Sequence, residues 1–103
     1  MDIVRSKNGV PIRLTEERWI HITEEHPEMA GYYFEVLEVV EGAEAIYEGK
    51  TGERIAVRQI EKDKYIVAIY RELSKEDGFV ITAFLTRWRK KLERRRKIWQ
   101  WEK

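Results

Sequence analysis

Apolar residues recur at three- and four-residue steps up to Gly42 and alternate or run in short blocks after it. The first pattern belongs to helices buried along one stripe, the second to strands. The opening Ile3-Val4-Arg5, Asn8-Gly9 and Val10-Pro11-Ile12-Arg13 predicts a short hairpin, because Asn-Gly is a strong tight-turn signal and apolar residues flank it. Thr15 fits a helix N-cap, with Glu16 and Glu17 where the helix dipole favours negative charge, and this helix is expected to reach about Glu25. Pro27 disfavours helical geometry at His26 but suits the first turn of a second helix. That helix is expected over residues 28–41, with Met29, Tyr32, Tyr33, Val36, Leu37 and Val40 on one face and Gly42 as its stop.

Four β-rich runs follow, at residues 45–48, 53–60, 64–71 and 79–86, joined by segments short enough for hairpins. The pattern predicts one α+β domain over residues 1–103. Its two N-terminal helices pack on a four-stranded antiparallel meander preceded by the short hairpin. The tail from Arg87 to Lys103 offers only a partial apolar stripe in Leu92, Ile98, Trp99 and Trp101, so a basic helix or tail docked by a few residues is expected.

Composition narrows the chemistry. With 103 residues the chain suits a single core, and four tryptophans, five tyrosines and three phenylalanines can build it without disulfides or a structural metal. The absence of cysteine removes disulfide frameworks, zinc knuckles and thiol nucleophiles. No stretch approaches the ~18 apolar residues of a membrane span and no apolar run follows the first charges, so a cytoplasmic protein is expected. Charged residues make up 38% of the chain, a bias of the kind seen in proteins of thermophiles. The net charge of +1 hides an asymmetry: residues 87–103 carry +7 and residues 1–86 carry −6. The basic end is where a polyanion would first be drawn.

The segment WIHITEEHPEM, residues 19–29, holds both histidines of the chain. Five positions apart on a continuous helix they would point about 140° away from each other, which makes a poor zinc site. A break at Pro27 could turn His26 so that both imidazoles reach one cleft, an arrangement suited to metal-free general acid–base catalysis near neutral pH. The alternatives are a capping or bracing role for His26 and a core position for His21. Glu24 and Glu25 fit either as proton-transfer or histidine-orienting groups or as a solvated helix face.

Polar residues in the strand runs add candidates. Strict alternation along 79–86 puts Thr82 with Val80, Phe84 and Thr86, and its hydroxyl needs a partner on so apolar a face. Arg71 ends the run from Tyr65 to Tyr70, and Arg54 and Arg58 lie on the preceding strand. Arginines and a threonine hydroxyl on adjacent strands are suitable donors to one phosphate, although an Arg71–Glu72 sequence at a sheet edge also fits a salt-bridged surface.

Taken in order, RLTEERWIHITEEHPEM, VRQ, YIVAIYRE, EDGFVITAFLT and the basic, Trp-containing tail resemble the small bacterial and phage-associated proteins of the barnase, EndoU, colicin and RelE-like (BECR) nuclease superfamily. The resemblance covers nearly the whole chain and implies metal-independent RNA cleavage without a cofactor, including toxins of toxin–antitoxin pairs. In that chemistry a 2′-hydroxyl attacks the adjacent phosphodiester. Carried onto this chain, it implies His21 and His26 as base and acid, Arg71 and Arg58 as phosphate clamps, Thr82 as a hydrogen-bond donor, and Tyr70 as a substitute acid if it shares the face of Arg58. Where relatives often carry Arg before the second histidine this chain has Glu25, a carboxylate that must be paired or transfer protons itself. In the tail, Arg87, Trp88, Arg89, Arg94 and Arg95 combine charge with stacking surface and fit RNA. The same tail fits a docked surface helix or the grip for an acidic antitoxin. Two functions follow as expectations: an endoribonuclease, or a catalytically silent module that binds RNA or an acidic protein.

Overall fold

The computed structural model describes residues 1–87 and 89–100. Seven strands form one sheet in the order β1-β2-β6-β5-β4-β3-β7. The strands are β1 (Asp2–Arg5), β2 (Pro11–Leu14), β3 (Ala45–Glu48), β4 (Arg54–Glu61), β5 (Lys64–Glu72), β6 (Gly78–Thr86) and β7 (Lys97–Gln100). Helices α1 (Glu16–Glu25) and α2 (Tyr33–Glu41) flank a 3-10 turn at Pro27–Met29, and a single helical turn, α3, spans Arg89–Leu92. No helix among the described residues is long and apolar enough to cross a membrane.

The helix starts and stops follow local chemistry. The Thr15 hydroxyl accepts from the Arg18 backbone N–H at 3.1 Å, satisfying one of the free donors at the start of α1. Pro27 pushes His26 out of the helical region to φ −131° and ψ 75°, so α1 ends there. Gly31, at φ 91°, then separates the 3-10 turn from α2, which buries Val36, Leu37, Val39 and Val40.

Two findings correct the expected architecture. The sheet is a seven-stranded mixed sheet, not a four-stranded antiparallel meander, and its helices are short; the class remains α+β. The N-terminal hairpin joins through a parallel pairing of β2 with β6, in which Ile12 lies opposite Gly78 and Arg13 opposite Phe79. Gly78 permits that approach, because a Cβ there would sit 2.5 Å from the Ile12 Cδ1 and 2.6 Å from the Arg71 carbonyl oxygen. At the other edge the basic tail contributes β7, antiparallel to β3. Its exposed Lys97 and Gln100 are tolerable because an edge strand keeps one side in water, and polar or charged edges resist further pairing.

The sheet separates two cores. On the inner face Ile12, Leu14, Ile46, Ala56, Ile66, Ala68, Tyr70, Val80 and Ala83 pack with Ile22 of α1, Met29 and the apolar side of α2. On the outer face a smaller cluster of Ala45, Tyr47, Ile55, Val57 and Val67 is joined by Tyr65, Ile69, Phe84 and Leu92 of α3.

Candidate functional site

An extra residue in β6 decides which side chains share the outer face. Thr82 lies opposite Ile69 and Phe79 opposite Arg71, so two steps on β5 match three on β6, with the register shift beside Ile69 and Tyr70. The bulge therefore carries Phe79 onto the face of Thr82, Phe84 and Thr86, and sends Val80 to the inner core with Ala83. Strict alternation along residues 79–86 had grouped these residues differently. The outer face of β5 and β6 thus presents Tyr65, Ile69, Arg71, Phe79, Thr82, Phe84 and Thr86.

His26 reaches this face from the end of α1. Its ring lies 5.7 Å from that of Phe84, tilted by 35°, and its Nδ1 is 3.6 Å from the Glu28 carboxylate. The Glu28 carboxylate lies beside this ring nitrogen and leaves the other one open to a substrate. The side chain is 33% exposed, accessible yet held. His21 is exposed on α1, on one stripe with Arg18 and Glu25, and Arg18 reaches the Ile81 carbonyl at 3.5 Å along the edge of β6. Among the described residues no hydrogen bond or ion pair joins His21 to His26, Arg71 or Thr82. Glu25 is the exposed last residue of α1.

Thr82 contributes an unsatisfied polar group: its Oγ1 is buried and has no hydrogen-bond partner among the described residues. Leaving such a group unpaired costs about 1–3 kcal/mol, which a bound acceptor or donor would recover. Arg71 is positioned by the β3–β4 turn. Its guanidinium donates to the Thr51 carbonyl at 2.8 Å and the Thr51 hydroxyl at 2.9 Å, and lies 3.4 Å from Glu53. The hydrogen bond from the Thr51 hydroxyl holds the Glu53 carboxyl below its ordinary range, with desolvation opposing and the Arg71 charge helping.

The other predicted strand residues face the opposite way. Tyr70, Arg54 and Arg58 share the inner face, Arg54 opposite Tyr70 and Arg58 opposite Ile66. Tyr70 is 2% exposed, and burial, reinforced by Glu72, pushes its hydroxyl well above the ordinary tyrosine range, so it makes no proton donor to a substrate. Arg54 pairs with Glu72 at 3.6 Å, and Glu72 accepts from Ser6 at 2.5 Å and Asn8 at 3.0 Å. Arg54 therefore helps tie the N-terminal hairpin to the sheet. Arg58 lines a cavity of about 320 Å³ with Lys7, Gly42, Ala43 and Glu44, across the sheet from Arg71.

The tail residues divide as well. Arg89 braces α3 to the sheet, 3.5 Å from Glu44 and 5.5 Å above the Tyr65 ring. Arg87 lines a hollow of about 260 Å³ with Lys64, Leu85 and Thr86. Arg94 and Arg95 line a larger one, about 560 Å³, with Lys91, Lys50, Gly49 and Glu48. Trp88 and Trp101 lie outside the described residues. Among the described residues no three His, Cys, Asp or Glu side chains gather as metal ligands would.

Three contributors escaped the sequence reading. Glu28 offered a signal, two residues beyond His26 across a proline, where a 3-10 turn brings it back to the ring. Phe84 as a stacking surface and Lys50 as a neighbour of the tail depend on register and on the docking of β7, for which no local pattern exists. The arrangement is that of an α+β domain with one helix-covered face and one face that carries an imidazole, a carboxylate, an unpaired hydroxyl and a guanidinium. Compared with protein-family models, with curated proteins and with solved structures, the chain finds no match.

Proposed function

We propose that the protein is a metal-independent endoribonuclease whose chemistry takes place on the outer face of β5 and β6. The observation that carries this reading is the placement of His26. Beside Glu28 and against the ring of Phe84, it stands on the same sheet face as Arg71 and the Thr82 hydroxyl, which has no partner among the described residues. In this reading an RNA base lies against Phe84, and the scissile phosphate takes a hydrogen bond from Thr82. His26 transfers a proton between the imidazole and either the attacking 2′-hydroxyl or the leaving 5′-oxygen. Arg71 stands four residues along β5 from the partner of Phe84, about 13 Å away, and there it holds a neighbouring phosphate of the strand. His21, on the neighbouring stripe of α1, is the partner for the second proton. The setting such an activity suits is a cytoplasmic toxin held in check by an acidic antitoxin.

A second reading, a catalytically silent module that binds RNA or an acidic protein through the basic tail, is favoured by one observation. Arg71 is already occupied by Thr51 and Glu53. The two readings separate in one experiment, incubation of RNA with the protein in EDTA. As a nuclease the wild type cleaves, and His26→Ala and His21→Ala each lose about 10²–10⁴-fold in rate with unchanged melting, the usual worth of a general acid or base. Salt-dependent binding without any cleavage by the wild type supports the silent module, and cleavage abolished by the chelator contradicts both.

A further inference from the structure

The hollow between the β3–β4 turn and the segment after α3 has no part in the chemistry above, yet its lining is strongly cationic. Four of its six lining residues are Lys50, Lys91, Arg94 and Arg95, and the fifth, Glu48, is 3.8 Å from Arg96. Lys50 comes from the acidic part of the chain, so the basic tail did not assemble this site alone. Pairing of β7 with β3 brings the two together, and the Glu48 backbone N–H donates to the Arg96 carbonyl at 2.8 Å beside the hollow. Lys50 and Arg94 are exposed and form no ion pair among the described residues, so their charges stand uncompensated.

We infer that this hollow is a binding site for the phosphodiester backbone of a nucleic-acid strand, the grip that holds the strand while its neighbouring segment crosses the outer face. The lining argues for phosphate over an acidic protein. It contains no aromatic or large aliphatic anchor, whereas protein interfaces centre on such anchors and phosphate contacts need only clustered cations. At about 560 Å³ it is roomier than the other described hollows, which suits successive phosphates. Its position also fits. Lys50 adjoins Thr51, whose carbonyl and hydroxyl hold Arg71, so a strand leaving the hollow meets the Arg71 end of the outer face within a residue of chain. This inference rests on the ribonuclease reading for the strand's path but not for its affinity.

The test is binding of a single-stranded 2′-deoxy oligonucleotide, which carries the same backbone but lacks the attacking hydroxyl, so binding is read apart from cleavage. It compares the wild-type chain, Lys50→Gln/Arg94→Gln, and a charge-matched control, Lys62→Gln/Lys75→Gln, taken from the exposed turns after β4 and β5. Each phosphate contact to a single strand contributes roughly 0.7 to the slope of log affinity against log salt. The first pair is expected to lower that slope by about 1.4 and the affinity about tenfold at low salt, with the control and all three melting temperatures unchanged. Equal affinity of the two variants overturns the inference. So does a polyglutamate peptide that shows this variant dependence while the oligonucleotide does not. Loss of cleavage in the His26→Ala chain with binding intact leaves the grip standing, and a wild type that binds without cleaving removes only the ribonuclease reading.

Discussion

The two faces of the sheet are built on opposite principles. On the inner face every strand offers aliphatic side chains to α1, α2 and the 3-10 turn, and Ile12, Leu14, Met29, Val36, Val40 and Ile66 are wholly buried. Two of its charged residues, Arg54 and Glu72, are paired with each other and with the N-terminal hairpin, while Arg58 lines a cavity at its rim. On the outer face only the end near α3 is closed, over Tyr47, Val57 and Val67. The rest holds a hydroxyl with no partner among the described residues, a histidine against a phenylalanine and an arginine held by a turn. The inner face spends its surface on stability, and the outer face keeps polar groups that folding alone does not require.

Substitutions that separate the faces should behave differently. Ile66→Ala, on the inner face, removes a fully buried side chain from a closed core and should destabilise by about 2–5 kcal/mol in denaturant unfolding. Gly78→Ala should cost about 1–3 kcal/mol, because the new methyl meets Ile12 and the backbone carbonyl of Arg71, and it should loosen the β2–β6 pairing first. Amide exchange at Ile12 and Arg13 would then accelerate more than at the centre of β5; uniform acceleration would contradict the assignment of that glycine.

Thr82→Val reverses the sign. It removes a buried hydroxyl that lacks a partner, so stability should hold or rise by up to about 1 kcal/mol while cleavage falls. A clear loss of stability would mean that the hydroxyl already has a structural role. The smallest effect is electrostatic and belongs to acid pH. Glu53 has a depressed pKa in the folded chain, so its contribution is complete above the unfolded carboxylate value of about 4.3 and is lost as pH falls through the lower folded value. A pH titration below about 4 should therefore remove the Glu53 contact to Arg71, visible in the guanidinium NMR signals while the bonds to Thr51 persist, and Glu53→Gln should erase that acid step.

What the chain announces about this structure is local. The Thr15 cap, the stop at Pro27, Gly42 at the end of α2 and the apolar runs from Ala45 to Thr86 are each readable from neighbours within a few residues. The parallel contact of β2 with β6 is not, because it joins Ile12 to Gly78 through two register pairs, and no periodicity encodes a partner so distant. Charge hid β7, since Lys97-Ile98-Trp99-Gln100 beside an arginine run reads as a solvated tail until an edge is available to it. Within the candidate site, residue types were legible and faces were not. Arg58 and Arg71 looked like one clamp, but strand parity sets them on opposite sides, and the single extra residue in β6 regroups Phe79 with Thr82. His26 was legible as the residue that proline turns out of the helix. Its carboxylate and its aromatic floor were not.

The most direct test of the outer-face account is the rate of RNA cleavage in EDTA by the wild-type chain and by His26→Ala, measured beside their melting temperatures. Cleavage by the wild type, a fall of about 10²–10⁴-fold in the variant and coincident unfolding curves are expected. Equal rates for the two proteins would contradict the outer-face account.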